Sequence, residues 1–183
     1  MSSPTQLRSD VATLTDAAAT ELSSVWRGVE TAAAVEAALR DVLPALVAEY
    51  GSATALVAAD WYDDLRASAG VRGRFRAIPA AVAETGTQAL VGWALAEVKD
   101  PTNVSAFRSL IEGGTQRRIA NFSRLTVTGS SIEDPQARGW QRTGAGDCDF
   151  CALLIGRGAV YTEASADFPS HDHCQCGSEP AWR

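Results

Sequence analysis

All four cysteines and both histidines of this chain fall in its last 36 residues, as Cys148-x-x-Cys151 and then, after a gap of 19 residues, His171-Asp172-His173-Cys174-Gln175-Cys176. The rest of the chain holds no soft metal ligand. Thiolates and imidazoles grouped as two short clusters joined by a loop match the four N/S donors of a tetrahedral zinc shell. A structural zinc site is therefore the leading reading, ahead of disulfides and of a redox or catalytic cysteine. Disulfides lose ground because Met1-Ser2-Ser3-Pro4-Thr5-Gln6 has neither the basic start nor the apolar stretch of a secretory signal. A thioredoxin-like role would need the C-x-x-C to open a helix of a βαβ unit, and no strand–helix–strand alternation precedes Cys148.

The residues before this block carry a helical period. Ser3-Pro4 reads as a cap followed by proline at the first helical position, and Leu7, Val11, Leu14, Ala18, Leu22 and Val25 recur at steps of three and four. A second stripe, Val35, Leu39, Val42, Leu46 and Tyr50, contains Pro44, which predicts a kink or break. Gly51 is expected to end that helix and Ser52 to cap the next, through Val57, Trp61 and Leu65. Gly70 to Ala77 reads as a loop. Pro79 is expected to restart a helix with Val82, Gly86, Ala89, Leu90, Trp93 and Ala96 on one face. Asp100-Pro101 repeats the cap-plus-proline signature before Val104, Phe107 and Ile111. Gly113-Gly114 should interrupt that helix, the run from Thr115 to Thr128 should resume it, and Gly129-Ser130-Ser131 should loosen it.

Beyond Asp134-Pro135 the helical period is lost. Residues 139–143, 159–162 and 178–182 read as short strands, the last an edge strand because of Pro180, and residues 149–156 have room for a helical turn or two. The expected fold is mainly α with a small C-terminal zinc-bound α+β module: about five helices in a body at 1–130, then short strands in a module at 135–183. So small a module buries too little apolar surface to fold alone, so a metal contributing folding free energy is expected.

Charge narrows the partners. The 183 residues carry a net charge of -6, which argues against a dedicated nucleic-acid binder, yet the distribution is uneven. Ten arginines and Lys99 face six acids in residues 66–142, whereas residues 1–65 hold ten acids and three arginines. A weak DNA contact through that arginine-rich middle is one reading; arginines solvated or paired with the acidic N-terminal helices is the preferred one. Gln116-Arg117-Arg118 and Arg124 are likewise read as a solvated or ion-paired face. Trp61 and Tyr62 are expected in the core, with Asp63 and Asp64 solvated. No apolar run approaches the roughly 20 residues of a membrane span.

Six donors compete for four places around the metal. Cys148 and Cys151 form the first pair, because a C-x-x-C turn aims both thiolates at one ion. His171-x-x-Cys174 and His173-x-x-Cys176 share a spacing, so the second pair stays open. The preferred set draws on Cys148, Cys151, His171, Cys174 and Cys176, with His173 beside the shell or at the surface. The chain has no H-E-x-x-H, and with four thiols available a closed structural shell is favoured over a catalytic zinc.

The order Trp140-x-Arg142, Cys148-x-Phe150-Cys151-x-x-Leu154-x-x-Arg157-Gly158-x-Val160-Tyr161, His171-Asp172-His173-Cys174-x-Cys176 and Pro180-x-Trp182 resembles the C-terminal signature of actinobacteriophage Mu F-like minor capsid proteins, often labelled capsid maturation proteases. Trp61-Tyr62-Asp63-x-Leu65-Arg66 and the Gln116-Arg117-Arg118 region are similar to that family's helical part. Its histidine, two residues and C-x-C map onto His171, Cys174 and Cys176. The resemblance implies a structural or assembly protein of the virion head, made in the host cytoplasm and placed near the portal, with the portal or major capsid protein as partner. Proteolysis of head or scaffold proteins is the alternative activity and packaged-DNA contact a second. No catalytic residue is assigned.

Overall fold

In the computed structural model, residues 3–81, 85–146, 149–165 and 167–182 are described. Ser3 accepts a hydrogen bond from the Gln6 amide and Pro4 sits at the first turn, opening helix α1 over Pro4–Leu22. A 3₁₀ turn at Ser23–Trp26 leads to α2, Ala32–Ser68, which Thr31 caps through the Ala34 amide. Helix α3 spans Thr87–Glu97 and α4 spans Val104–Glu133. The cap of α4 is Asn103, which accepts from the Ala106 amide; Asp100 instead closes the preceding turn by accepting from Thr102. Strand β1, Ala137–Thr143, then α5, Asp149–Gly156, and β2, Gly177–Trp182, follow, so the described residues hold a mainly α fold of five α-helices with C-terminal strands, four of the helices in the body and α5 between the strands.

The long helices α2 and α4 form the spine. Leu39, Leu43, Leu46 and Val47 of α2 meet Phe107, Ile111, Ile119 and Phe122 of α4, with Leu90 and Val91 of α3 and Ala18 and Leu22 of α1 closing the same core. Removing these side chains from water is the main stabilising contribution of the body. By length and composition alone α2 is apolar enough to cross a membrane. Here its apolar face packs as the central helix of the core.

Several boundaries differ from the expectations, each for a packing reason. Helix α2 runs unbroken through Pro44 and Gly51. Proline at 44 cannot donate to the carbonyl of Arg40, one turn earlier, and the Gln88 side chain of α3 supplies the missing donor at 2.9 Å. A Cβ on Gly51 would lie 2.5 Å from the Phe122 ring, so this glycine marks the close approach of α4 rather than a helix end. The same holds inside α4, which continues through Gly113-Gly114 and on to Glu133. A Cβ on Gly114 would strike Leu90 of α3 at 2.4 Å, and one on Gly113 would meet the His173 ring at 2.5 Å. Among the described residues, 69–81, 85 and 86 form no regular element, so helix α3 starts eight residues after Pro79; Val82 of its expected face lies outside the described residues.

The two strands pair antiparallel, with Trp140 opposite Pro180 and Thr143 opposite Gly177. The strand expected at 159–162 reduces to a bridge between Trp140 and Tyr161, whose rings stack at 4.5 Å. Gly139, with φ of +136°, allows this approach, because a Cβ there would collide with the Tyr161 carbonyl. Trp182 reaches back to the body, its indole donating to Asp134 at 3.0 Å and its ring packing edge-on against Tyr62.

Candidate metal centre

Helix α5 carries Cys151 into the module, and the turn before β2 carries His171, Cys174 and Cys176. That turn is closed by the Cys174 amide donating to the His171 carbonyl and places His173 at φ of +60°. The Cys151, Cys174 and Cys176 side chains are buried together against Ile155 and Phe168.

The spacing of the donors fits a metal. Cys151 Sγ lies 4.0 Å from Cys174 Sγ and 3.6 Å from His171 Nε2, and one donor atom from each of the three residues falls within 4.8 Å of the others. Zinc–sulfur bonds of about 2.3 Å and a zinc–nitrogen bond of about 2.05 Å give tetrahedral edges of about 3.8 Å between sulfurs and about 3.6 Å between sulfur and nitrogen. A sulfur separation of 4.0 Å is also about twice a disulfide bond. The Cys176 thiol lies beside these donors, close enough to interact with the Cys174 and Cys151 thiols, though outside the three whose donor atoms fall within 4.8 Å of one another. Of the residues singled out in the sequence, the structure thus brings together Cys151, His171, Cys174 and Cys176, a cluster with the donor set to hold a metal. Cys148 lies outside the described residues. The His173 ring turns instead onto Gly113 of α4.

The His171 tautomer and the Cys174 thiol suit ligation. His171 Nδ1 lies 2.7 Å from the Asp172 carbonyl. A carbonyl only accepts, so Nδ1 bears the proton and Nε2 presents its lone pair to the sulfurs. A hydrogen bond from Cys176 draws the Cys174 thiol down to about 5; burial opposes this and the Arg124 charge assists it. Cys176, as the donor to that thiolate and itself buried, is pushed up.

Arg124 of α4, expected on a solvated face, is the residue that sequence reasoning misplaced. It is 2 % exposed. Its Nε donates to the Cys176 carbonyl at 2.9 Å and its Nη2 to the Cys174 carbonyl at 2.7 Å, while Nη1 bonds Asn121 and Ser170. Burial pushes its guanidinium down, to about 10; Cys174 opposes that shift and neighbouring Arg142 adds to it. Arg142 is also buried, donating to the Pro169 carbonyl and lying 3.8 Å from the Phe168 ring centroid. Arg117 pairs with Asp172 at 3.3 Å. Two helical turns separate Arg117 from Arg124, so both arginines reach the same loop, a face relation visible in the sequence once the loop's position is known. Arg118 bonds the carbonyls of Gly114 and Gly86. Among the described ion pairs, only Arg76 with Asp63 joins the arginine-rich middle to an acid in residues 1–65.

A protein-family model described as VG15 protein matches residues 2–183. No curated protein and no solved structure matches the chain.

Proposed function

The chain belongs to the VG15 protein family, which makes it a phage protein, and from that premise we propose that it is a minor structural protein of the virion head with a structural zinc site. The observation that carries this reading is the set of two sulfurs and one imidazole, Cys151, Cys174 and His171, at metal-binding spacing with the Cys176 thiol beside them, in a loop pinned to α4 by Arg124. Zinc takes Cys151, His171 and Cys174, and Cys176 or Cys148 fills the fourth place. A closed shell leaves no vertex for water, so the metal fastens the chain's end to the body instead of activating a nucleophile. Head assembly, with the portal or major capsid protein as neighbour, follows from the likeness to the Mu F-like proteins. Exposed Phe150, Leu153 and Val160 on the C-terminal module support it as apolar surface of the kind a neighbouring chain covers. Packaged-DNA contact has less support, because Arg66, Arg124 and Arg142 of the arginine-rich middle are buried.

Two measurements test the proposal. Purified protein should contain one zinc per chain; His171→Ala and Cys151→Ser should lose it and His173→Ala retain it. Quantitative mass spectrometry of purified particles should find the chain in heads at a few copies. Its absence from heads, or cleavage of unprocessed capsid protein that stops when Cys151 is replaced, would overturn the structural reading.

A further inference from the structure

Arg124 poses an electrostatic problem that its hydrogen bonds do not solve. The side chain is 2 % exposed, and among the described residues every hydrogen bond it makes goes to a neutral oxygen: the carbonyls of Cys174 and Cys176, the Asn121 amide and the Ser170 hydroxyl. No carboxylate pairs with it among the described ion pairs. Buried Arg142 stands close enough to repel it. Neutral acceptors satisfy the N–H groups, but a guanidinium taken out of water without a counter-charge remains strongly unfavourable. Among the described residues, the groups whose negative charge favours that of Arg124 are the thiols of Cys174, Cys176 and Cys151.

We infer that Arg124 is the counter-cation and positioning residue of the metal centre: its charge balances a zinc held by three thiolates and one imidazole, and its fork fixes the two carbonyls of the Cys174–Cys176 turn. The inference rests on the zinc reading of the same cluster. Zinc at +2 with three thiolates and a neutral imidazole leaves a net charge of -1, whichever of Cys176 and Cys148 supplies the third sulfur. One buried guanidinium cancels it. The fork geometry also explains arginine over lysine, since Nε and Nη2, side by side on one edge of the guanidinium, each take one of two carbonyls two residues apart. Anchoring the ligand turn in this way lets it present Cys174 and Cys176 to the metal already oriented.

The test separates charge from hydrogen bonding. Zinc affinity of the purified chain would be measured by chelator competition for wild type, Arg124→Lys, Arg124→Gln and Arg124→Met, with circular dichroism reporting the helical body. Supporting groups around metal ligands are worth about 10- to 100-fold in affinity, and a loss in that range is expected for Arg124→Met and Arg124→Gln, with Arg124→Lys, which restores the charge but not the fork, recovering part of it. Wild-type affinity in Arg124→Met, or recovery by glutamine and not lysine, would overturn the counter-cation role. Should the variants fail to fold, cobalt-substituted wild type decides: thiolate-to-metal absorption equivalent to three sulfurs is expected, and two or fewer would leave the centre without the charge that Arg124 requires. Wild type that binds no metal would instead overturn the zinc reading itself.

Discussion

Asp134, the residue that ends α4, ties together three parts of the chain. Its carboxylate accepts from Arg66 Nε at 2.8 Å, from the Trp182 indole at 3.0 Å and from the Gln136 amide, with the Tyr62 hydroxyl at 3.3 Å. Both Arg66 and Asp134 are buried. Arg66 in turn donates to the carbonyls of Val71, Arg72 and Gly73, holding the segment after α2 in place. Removing one partner of a buried pair leaves the other charge stranded, so Asp134→Ala should destabilise the fold by about 3–5 kcal/mol in chemical denaturation. Burial alone would raise the Asp134 carboxyl, but the Arg66, Gln136 and Trp182 hydrogen bonds override it and hold the group below its usual value. Its folded pKa is thus below its unfolded one, so its contribution is complete above about pH 4 and is lost as pH falls through the lower folded value. Wild-type stability should therefore decline below about pH 4 more steeply than that of Asp134→Ala, measured by thermal melts across that range.

Where helices meet, glycine decides how close they come. Gly51 sits on the buried side of α2 facing the Phe122 ring of α4, and Phe122 is itself buried. Glycine to alanine in a helix normally stabilises by about 1 kcal/mol. Here the added methyl would overlap a packed ring, and overpacking a core costs about 1–3 kcal/mol. Gly51→Ala should therefore lower the melting temperature, whereas Gly129→Ala, with nothing within 4 Å of the new methyl, should raise it or leave it unchanged. Equal shifts in the two variants would show that α2 and α4 do not approach as described. Both positions read alike in the sequence, as helix punctuation.

The whole molecule is a helical body with its last strand folded back upon it. Trp182 contacts Tyr62 and Asp134, Ser178 donates to the Arg124 carbonyl, and the Cys174–Cys176 turn hangs from Arg124. The small module has its own apolar cluster of little more than three cysteines, Ile155 and Phe168, too small to hold the turn without further bonds. Chelating the metal should raise amide hydrogen exchange in residues 149–182 by orders of magnitude while α2 and α4 retain most of their protection. Uniform loss of protection across the chain would mean that the metal stabilises the molecule as one unit.

The sequence by itself determined the periodic helices, the capped starts at Ser3 and the cysteine–histidine donor set, because helical period, N-cap chemistry and soft ligands are local properties of residue type and spacing. It placed Trp61 and Tyr62 in the core correctly for the same reason. It read Asp63 as solvated, yet this carboxylate accepts from the Ala77 amide and pairs with Arg76, partners 13 and 14 residues away. It also could not see that Gln88 repairs the gap left by Pro44, that Gly51, Gly113 and Gly114 are contact points, or that Arg124 points inward. Each of those depends on a partner from another element, and a partner two dozen or more positions away in the chain is set by how the helices pack. The same physical reason divides the metal centre: the donors are legible in the chain, but the carbonyl that fixes the His171 tautomer and the guanidinium beneath the sulfurs exist as a site only once α4 and the C-terminal turn are brought together.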